Sequence, residues 1–420
     1  MKKSLFFVVL LSFAVCAFAQ TSTEDVLEQL RKDPRKAYGN DYPYMFEHPA
    51  LTKAPRGYKP FYISHYGRHG SRYYWNDKLY TALDTLMTTA HERGQLTPAG
   101  EEFYKNFMAA KDELMTGISE LTELGWQQHQ GEARRMYDNF TDVFKKGGHV
   151  SAISSLSGRC VLSMSAFCQE LCQCNPELEI REQSSRFTLH AVVPDDKENP
   201  QKKSYPKMTP RYVKSDVKIP FDREFNQRII DRVFTSTEGL PNTRGIAGNL
   251  INLYTSLPNI YHEGLMGDII TDQEIVDRWE TSNLGSYSWV FSGQNTMIPI
   301  LEDILKQAQD VIEGRNNDVA SLRFGHDSCI GPLTVLMGLN GAALDPENPY
   351  EVKNAYQNWQ TCKACNIQLI FYKGKKASDD ILVKCLLNES EVTLPIETDM
   401  FPYYKWNALY KYYSNRCKTY

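Results

Sequence analysis

The chain has 420 residues, enough for two or three domains or for one large α/β domain carrying an insertion. Hydrophobic residues make up 42% and charged residues 23%, a globular balance that excludes a fibrous or disordered chain. The formal net charge of -4 excludes a global pull towards nucleic acid or an anionic membrane, so any anionic ligand must be held by a local cluster of cations.

The first segment reads as a targeting signal rather than as structure. Lys2 and Lys3 form a basic start, and Leu5 to Cys16 is an almost purely apolar run. Ala17-Phe18-Ala19 then offers small residues at a cleavage site, with Gln20 as the new terminus. The run is shorter than the roughly 20 residues a spanning helix needs, and no later stretch reaches that length. A soluble, exported protein is expected, periplasmic or secreted. Of ten cysteines, Cys16 leaves with the signal and the odd remainder stays unassigned to pairs. Cys362-x-x-Cys365 lacks a second such pair or a suitably spaced histidine, and Cys168, Cys172 and Cys174 fall in or just after a helical pattern. Both groups read as small hydrophobes, with no metal or redox site.

Beyond the signal, a short helix is expected over Thr23 to Arg31, within a polar, Pro-bearing stretch that runs to residue 58. Phe61-Tyr62-Ile63-Ser64-His65-Tyr66 is a β-type run, and Gly67 to Gly70 ends it in a loop. Leu79 to Met87 and Ala99 to Leu114 read as helices. A long helix follows, carrying Met136, Tyr137, Phe140 and Phe144 at helical spacing. Val150 to Leu156 is a second strand, and Cys160 to Cys172 a helix. From about Gln183 to Lys218 the chain is polar and Lys-rich, a long loop opening an inserted segment. Helical patterns dominate from Phe225 to Glu313, including Ile300 to Ile312. Strand signals return at Ser321 to Phe324, Ile367 to Tyr372 and Ile381 to Leu387. This order predicts an α/β core in two parts, residues 20–182 and 314–420, interrupted by a mostly helical insertion over 183–313.

The chemistry sits at the end of the first strand, in Arg68-His69-Gly70-Ser71-Arg72. Guanidinium groups are planar forks that match phosphate oxygens and stay charged, so two of them beside a histidine point to an anionic ligand. Neighbouring cations also favour neutral imidazole, which keeps the histidine nucleophilic at mildly acid pH. A loop at the carboxyl end of a strand is where open α/β sheets place their sites. An exposed basic turn is the plain alternative, but the full pattern arises by chance only about a few times in a thousand chains of this length.

R-H-G-x-R resembles the signature of the histidine phosphatase superfamily, in its acid phosphatase and phytase branch. Tyr74 stands where that pattern continues to a proline. Leu121-Thr122-Glu123-Leu124-Gly125 with Arg134-Arg135-Met136-Tyr137 resembles the branch's L-T-x-x-G helix. Ser154-Ser155 with Arg159 and Ser163 is similar to the segment that delivers a third phosphate-binding arginine, and Gly325-His326-Asp327-Ser328 to the C-terminal H-D motif. The match runs from about Gly57 to Cys417 and implies a phosphoglycerate-mutase-like doubly wound α/β core with a helical insertion.

The resemblance also implies roles. His69 would attack phosphorus and carry the phosphoryl group; Arg68, Arg72, Arg159 and His326 would hold its oxygens; Asp327 would protonate the leaving group. No metal or other cofactor is implied. The segment around Trp126 and the runs Cys365 to Leu369, Leu386-Leu387-Asn388 and Pro402-Tyr403 are most similar to multiple inositol polyphosphate phosphatases. The implied substrate is phytate or a lower inositol phosphate, although that subfamily carries H-A-E where this chain has His326-Asp327-Ser328. Lys202, Lys203, Lys207, Arg211 and Lys214 cluster in the loop that opens the insertion, a candidate surface for peripheral phosphates. Two other readings stay open: a broad-specificity acid or sugar-phosphate phosphatase, and a non-catalytic phospholigand binder. His65, His91 and His129 have no comparable context; His65 is expected to be a packed, hydrogen-bonded neighbour of the motif.

Overall fold

Among the described residues, eight strands form a single mixed sheet: β1 (Lys59–Arg68), β2 (Gly148–Ser154), β3 (Leu178–Ser184), β4 (Asp318–Gly325), β5 (Asn366–Lys373), β6 (Leu382–Leu387), β7 (Ser390–Glu391) and β8 (Tyr403–Lys405). The order is β3-β2-β4-β1-β5-β6-β7, with β8 also on β6. The first four of that order run parallel, and β5 then turns antiparallel onto β1. The structure is a computed structural model that describes residues 23–220, 222, 224–376 and 378–418. The expected targeting signal lies outside the described residues.

Side chains alternate across the sheet as the pleat requires. Ile63, Val150, Ala152, Leu322, Phe324 and Ile370 face the helices Glu123–Asn139 and Gly158–Cys174. Tyr62, Tyr66, Ile367, Leu369 and Phe371 join the opposite core, with the helices Ile298–Ile312, Asp327–Met337 and Trp406–Lys418. The fold is therefore α/β, with helices on both faces. The same apolar cluster continues into the helices Lys78–Glu92, Pro98–Thr116, Phe225–Val233 and Ile246–Ser256, which pack beside the sheet.

Three elements differ from the sequence expectation. β3 was not anticipated: Leu178-Glu-Ile-Arg-Glu-Gln-Ser is a largely exposed edge strand with only two apolar residues. The long helix through Phe144 is broken, because Phe140 leaves helical geometry and the Thr141 hydroxyl donates back to the carbonyls of Tyr137 and Asp138. A separate short turn, Thr141–Phe144, follows. Asp327–Met337 is a helix buried almost all round, so it shows no 3.6-residue pattern to read.

Candidate active site

Parallel pairing in the order β2-β4-β1 brings three strand ends together. Arg68 lies in register with Gly325, and Ser154 with Phe324. His69, His326 and Ser155 therefore leave neighbouring strands at one edge of the sheet, the edge where open α/β sheets bind ligands. The His69 amide donates to the Gly325 carbonyl at 3.0 Å, and the Ser155 amide to the Phe324 carbonyl at 3.0 Å. The imidazoles of His69 and His326 meet edge to face, 5.6 Å between centroids.

The loop after β1 is clamped by the Leu-Thr-x-x-Gly segment. Thr122 caps the helix Glu123–Asn139 by accepting from the Gly125 amide, while its own amide and hydroxyl both donate to the Ser71 carbonyl at 3.0 Å. Gly125 permits this approach, since a Cβ there would lie 2.3 Å from the Ser71 carbonyl oxygen. Ser71 is wholly buried between Gln128 and Asn259, and the Gly70 amide donates to Ser163.

His69 Nδ1 lies 2.9 Å from the Gly70 carbonyl. A carbonyl only accepts, so Nδ1 carries the proton and Nε2 keeps a free lone pair. Burial, then the charges of Arg68, Arg72, Arg159 and His326, hold the His69 pKa well below the ordinary imidazole value. That shift favours the neutral ring.

Around it stand three guanidinium groups. Arg68 is 1% exposed and donates through Nη1 to the carbonyls of Asn40 and Thr361, while Nη2 pairs with Asp327 Oδ2 at 3.1 Å. Arg72 donates to the Tyr73 carbonyl, and Arg159 reaches Ser119 and, at 3.4 Å, His326 Nδ1. The Nε groups of all three arginines are buried without a partner. Together the three guanidinium groups beside His69 form a cationic cradle suited to an oxyanion. His326 bonds Ser155 through Nε2; burial and Arg159, against Asp327, push its pKa down to about 4.

Asp327 opens the helix Asp327–Met337. Burial alone would raise its pKa, but Arg68, then Lys363, Arg72 and His326, outweigh burial and hold the carboxyl well below the usual range. Its Oδ1 accepts the Ser328 amide. Asp327 is thus held ionised, with its carboxyl paired to Arg68.

Sequence reasoning missed a second shell of polar groups here. Lys363, 1% exposed, pairs with Asp41 and donates to the Asn40 carbonyl at 3.1 Å. Burial and Arg68, against Asp41, push its pKa down to about 7. Asn40, Asp41 and Asn259 join the same network. The Cys-Lys-Ala-Cys turn was the available signal, because a lysine between buried cysteines needs an ionic reason to be there.

The residues of the basic loop make contacts of their own. Arg211 is held by Asp345 and Glu347, beyond the C-terminal end of the helix that Asp327 begins, and Lys202 donates to the Asp195 carbonyl. Lys203, Lys207 and Lys214 are exposed. His65 is buried and bonds Glu132 at 2.8 Å, and His129 bonds the other oxygen of Glu132 at 3.2 Å. Among the described residues no cluster of His, Cys, Asp or Glu is arranged to hold a metal, and no helix is long and apolar enough to cross a membrane.

This architecture is the α/β fold of the phytase and histidine phosphatase type. The chain is similar to the multiple inositol polyphosphate phosphatase of Bifidobacterium longum, solved with inositol hexasulfate, at a TM-score of 0.66 and 21% identity over 89% of this chain and 96% of that one. It is also similar to the phytase from D. castellii, at a TM-score of 0.65 and 14% identity over 98% of this chain and 90% of that one. The Klebsiella sp ASR1 phytase follows at a TM-score of 0.52 and 13% identity over 86% and 96%. No protein-family model and no curated protein sequence matches the chain.

Proposed function

We propose that the chain is an exported phosphomonoesterase that works through a phosphohistidine on His69 and hydrolyses phytate or other inositol phosphates. The observation that carries this reading is the cradle itself: an imidazole with a free Nε2 set among the charges of three guanidinium groups. A simple binder needs the arginines but neither a free nucleophile nor a carboxyl aimed beside it.

The steps follow from the atoms. His69 Nε2 attacks phosphorus, the P–O ester bond breaks, and the leaving alkoxide takes a proton from Asp327. Arg68, Arg72 and Arg159 stabilise the charge on the transferring phosphoryl oxygens. Water then attacks the phosphohistidine, passes a proton to Asp327, and inorganic phosphate leaves as His69 is regenerated. For the first step Asp327 must be protonated. A bound phosphate dianion neutralises the guanidinium groups that otherwise keep the carboxyl ionised, so substrate prepares its own acid, most readily at acid pH.

Inositol phosphates are proposed as substrate on the resemblance of the motifs and on the kind of enzyme the similar structures are. A broad acid phosphatase is the second reading, favoured by the engagement of Arg211 with Asp345 and Glu347 rather than with a free anion-binding surface. Phosphate release from phytate and from p-nitrophenyl phosphate, by wild type, His69→Ala and Asp327→Asn between pH 3 and 7, separates the readings. Phytate turnover above the generic ester, abolished in His69→Ala, is expected. Asp327→Asn should lose about 10²–10⁴-fold on phytate and far less on p-nitrophenyl phosphate, whose leaving group needs little protonation. Turnover of the generic ester alone would leave a broad acid phosphatase, and no turnover would leave a binder.

A further inference from the structure

The segment Gly39–Asp41 precedes the sheet by about twenty residues, yet it lies across the cradle. Gly39 turns there with φ 60°, and a Cβ would stand 2.5 Å from the Asn358 amide, so the turn fits only glycine. The Asn40 carbonyl accepts from Arg68 Nη1 at 2.7 Å and from Lys363 Nζ at 3.1 Å. Asp41 pairs with Lys363 through its side chain and accepts from Asn259 through its carbonyl at 2.7 Å. The Asn40 amide oxygen accepts from the Thr361 hydroxyl at 3.1 Å, which leaves Nδ2 facing Asp327 Oδ2 at 3.5 Å. An ionised carboxylate only accepts, so that amide orientation is fixed by its partners.

We propose that Asn40 is a positioning residue for the acid Asp327, held over the site by the Lys363–Asp41 pair and the shared carbonyl contact with Arg68. This rests on the phosphomonoesterase reading above. Asp327 Oδ2 has two donors, Arg68 at 3.1 Å and Asn40 at 3.5 Å. When a phosphoryl group claims the Arg68 guanidinium, Asn40 is the donor left on that oxygen. It then holds the carboxyl plane towards the leaving group and closes from its long unliganded distance. The Lys363–Asp41 pair keeps the strap in place, with Lys363 buried and Asp41 partly exposed. Its removal would free both the strap and Arg68.

The test compares wild type, Asn40→Ala and Asn40→Asp on phytate and on p-nitrophenyl phosphate, with melting curves alongside. Asn40→Ala should lower kcat on phytate by about 10–100-fold, within the range of a misaligned general acid, and on p-nitrophenyl phosphate by under about threefold. Asn40→Asp keeps the shape and the carbonyl contacts but sets a second carboxylate beside Oδ2. The alkaline limb of its kcat profile should move to higher pH, a shift that a merely structural role would not produce. Equal losses on both esters, or an unmoved limb in a folded Asn40→Asp, would overturn the proposal while leaving a His69-dependent wild type intact. A wild type without turnover would overturn the phosphomonoesterase reading and this one with it.

Discussion

Gly125→Ala adds one carbon to the place where the helix Glu123–Asn139 meets the nucleophile loop. That carbon would stand 2.3 Å from the Ser71 carbonyl oxygen, 2.7 Å from a Leu121 methyl and 2.8 Å from the Ser71 amide. Two of the three neighbours are backbone, so no rotamer change relieves them. The helix must retreat by about 1 Å to restore ordinary contact. The retreat stretches both Thr122 contacts to the Ser71 carbonyl, which now lie at 3.0 Å. Overpacking of this kind costs about 1–3 kcal/mol of stability, and a displacement of about 1 Å in a catalytic loop can cost about 100-fold in rate. Steady-state kcat/KM on p-nitrophenyl phosphate, with urea unfolding of the same preparation, measures the two effects separately. A Gly125→Ala enzyme with wild-type kcat/KM would refute the idea that the Leu-Thr-x-x-Gly segment sets the loop.

Two further outcomes concern stability. His326 is neutral in the fold down to about pH 4 but protonates near 6.5 when unfolded, so the unfolded chain binds the extra proton between those values. Stability is therefore lost as pH falls from about 6.5 to about 4, by up to about 3 kcal/mol from this group, and His69 acts in the same direction. Denaturant midpoints from pH 7 to 4 should fall less steeply in His326→Asn than in wild type; parallel slopes would remove His326 as the cause. Glu132 is held at about 2 because His65 and His129 outweigh its burial, so Glu132→Leu strands two buried imidazoles. A loss of about 3–5 kcal/mol in urea unfolding is expected, and wild-type stability would show that the triad contributes nothing.

The loop after β1 was legible because Arg68, His69 and Arg72 fall within five residues and follow a β-type run. Arg159, His326 and Asp327 were readable through the resemblance of their segments to the family's motifs, and parallel pairing brings the ends of β2 and β4 beside that of β1. The rest of the site lacks that property. Asn40, Asp41, Asn259 and Lys363 are single polar residues in three unrelated loops, and their meeting depends on tertiary packing that no local period records. The helix Asp327–Met337 was hidden by being buried on all sides, and β3 by being an exposed edge. In the basic loop the charge itself was legible, but not the partners of Arg211, because Asp345 and Glu347 lie more than a hundred residues away.

The electrostatics of the site explain why one cradle can serve both steps of the proposed reaction. Arg68, Arg72, Arg159 and Lys363 face Asp41 and Asp327, with both imidazoles neutral, so cations outnumber anions by two. A phosphomonoester dianion balances that excess, and in doing so it weakens the hold of Arg68 on Asp327. The carboxyl can then take the proton that the leaving alkoxide requires. After transfer the charge stays on the phosphohistidine, still within reach of the same guanidinium groups, while Asp327 is again ionised and able to accept a proton from water. Arg68, touching Asn40, Thr361 and Asp327 at once, is the residue through which substrate charge and acid ionisation are coupled.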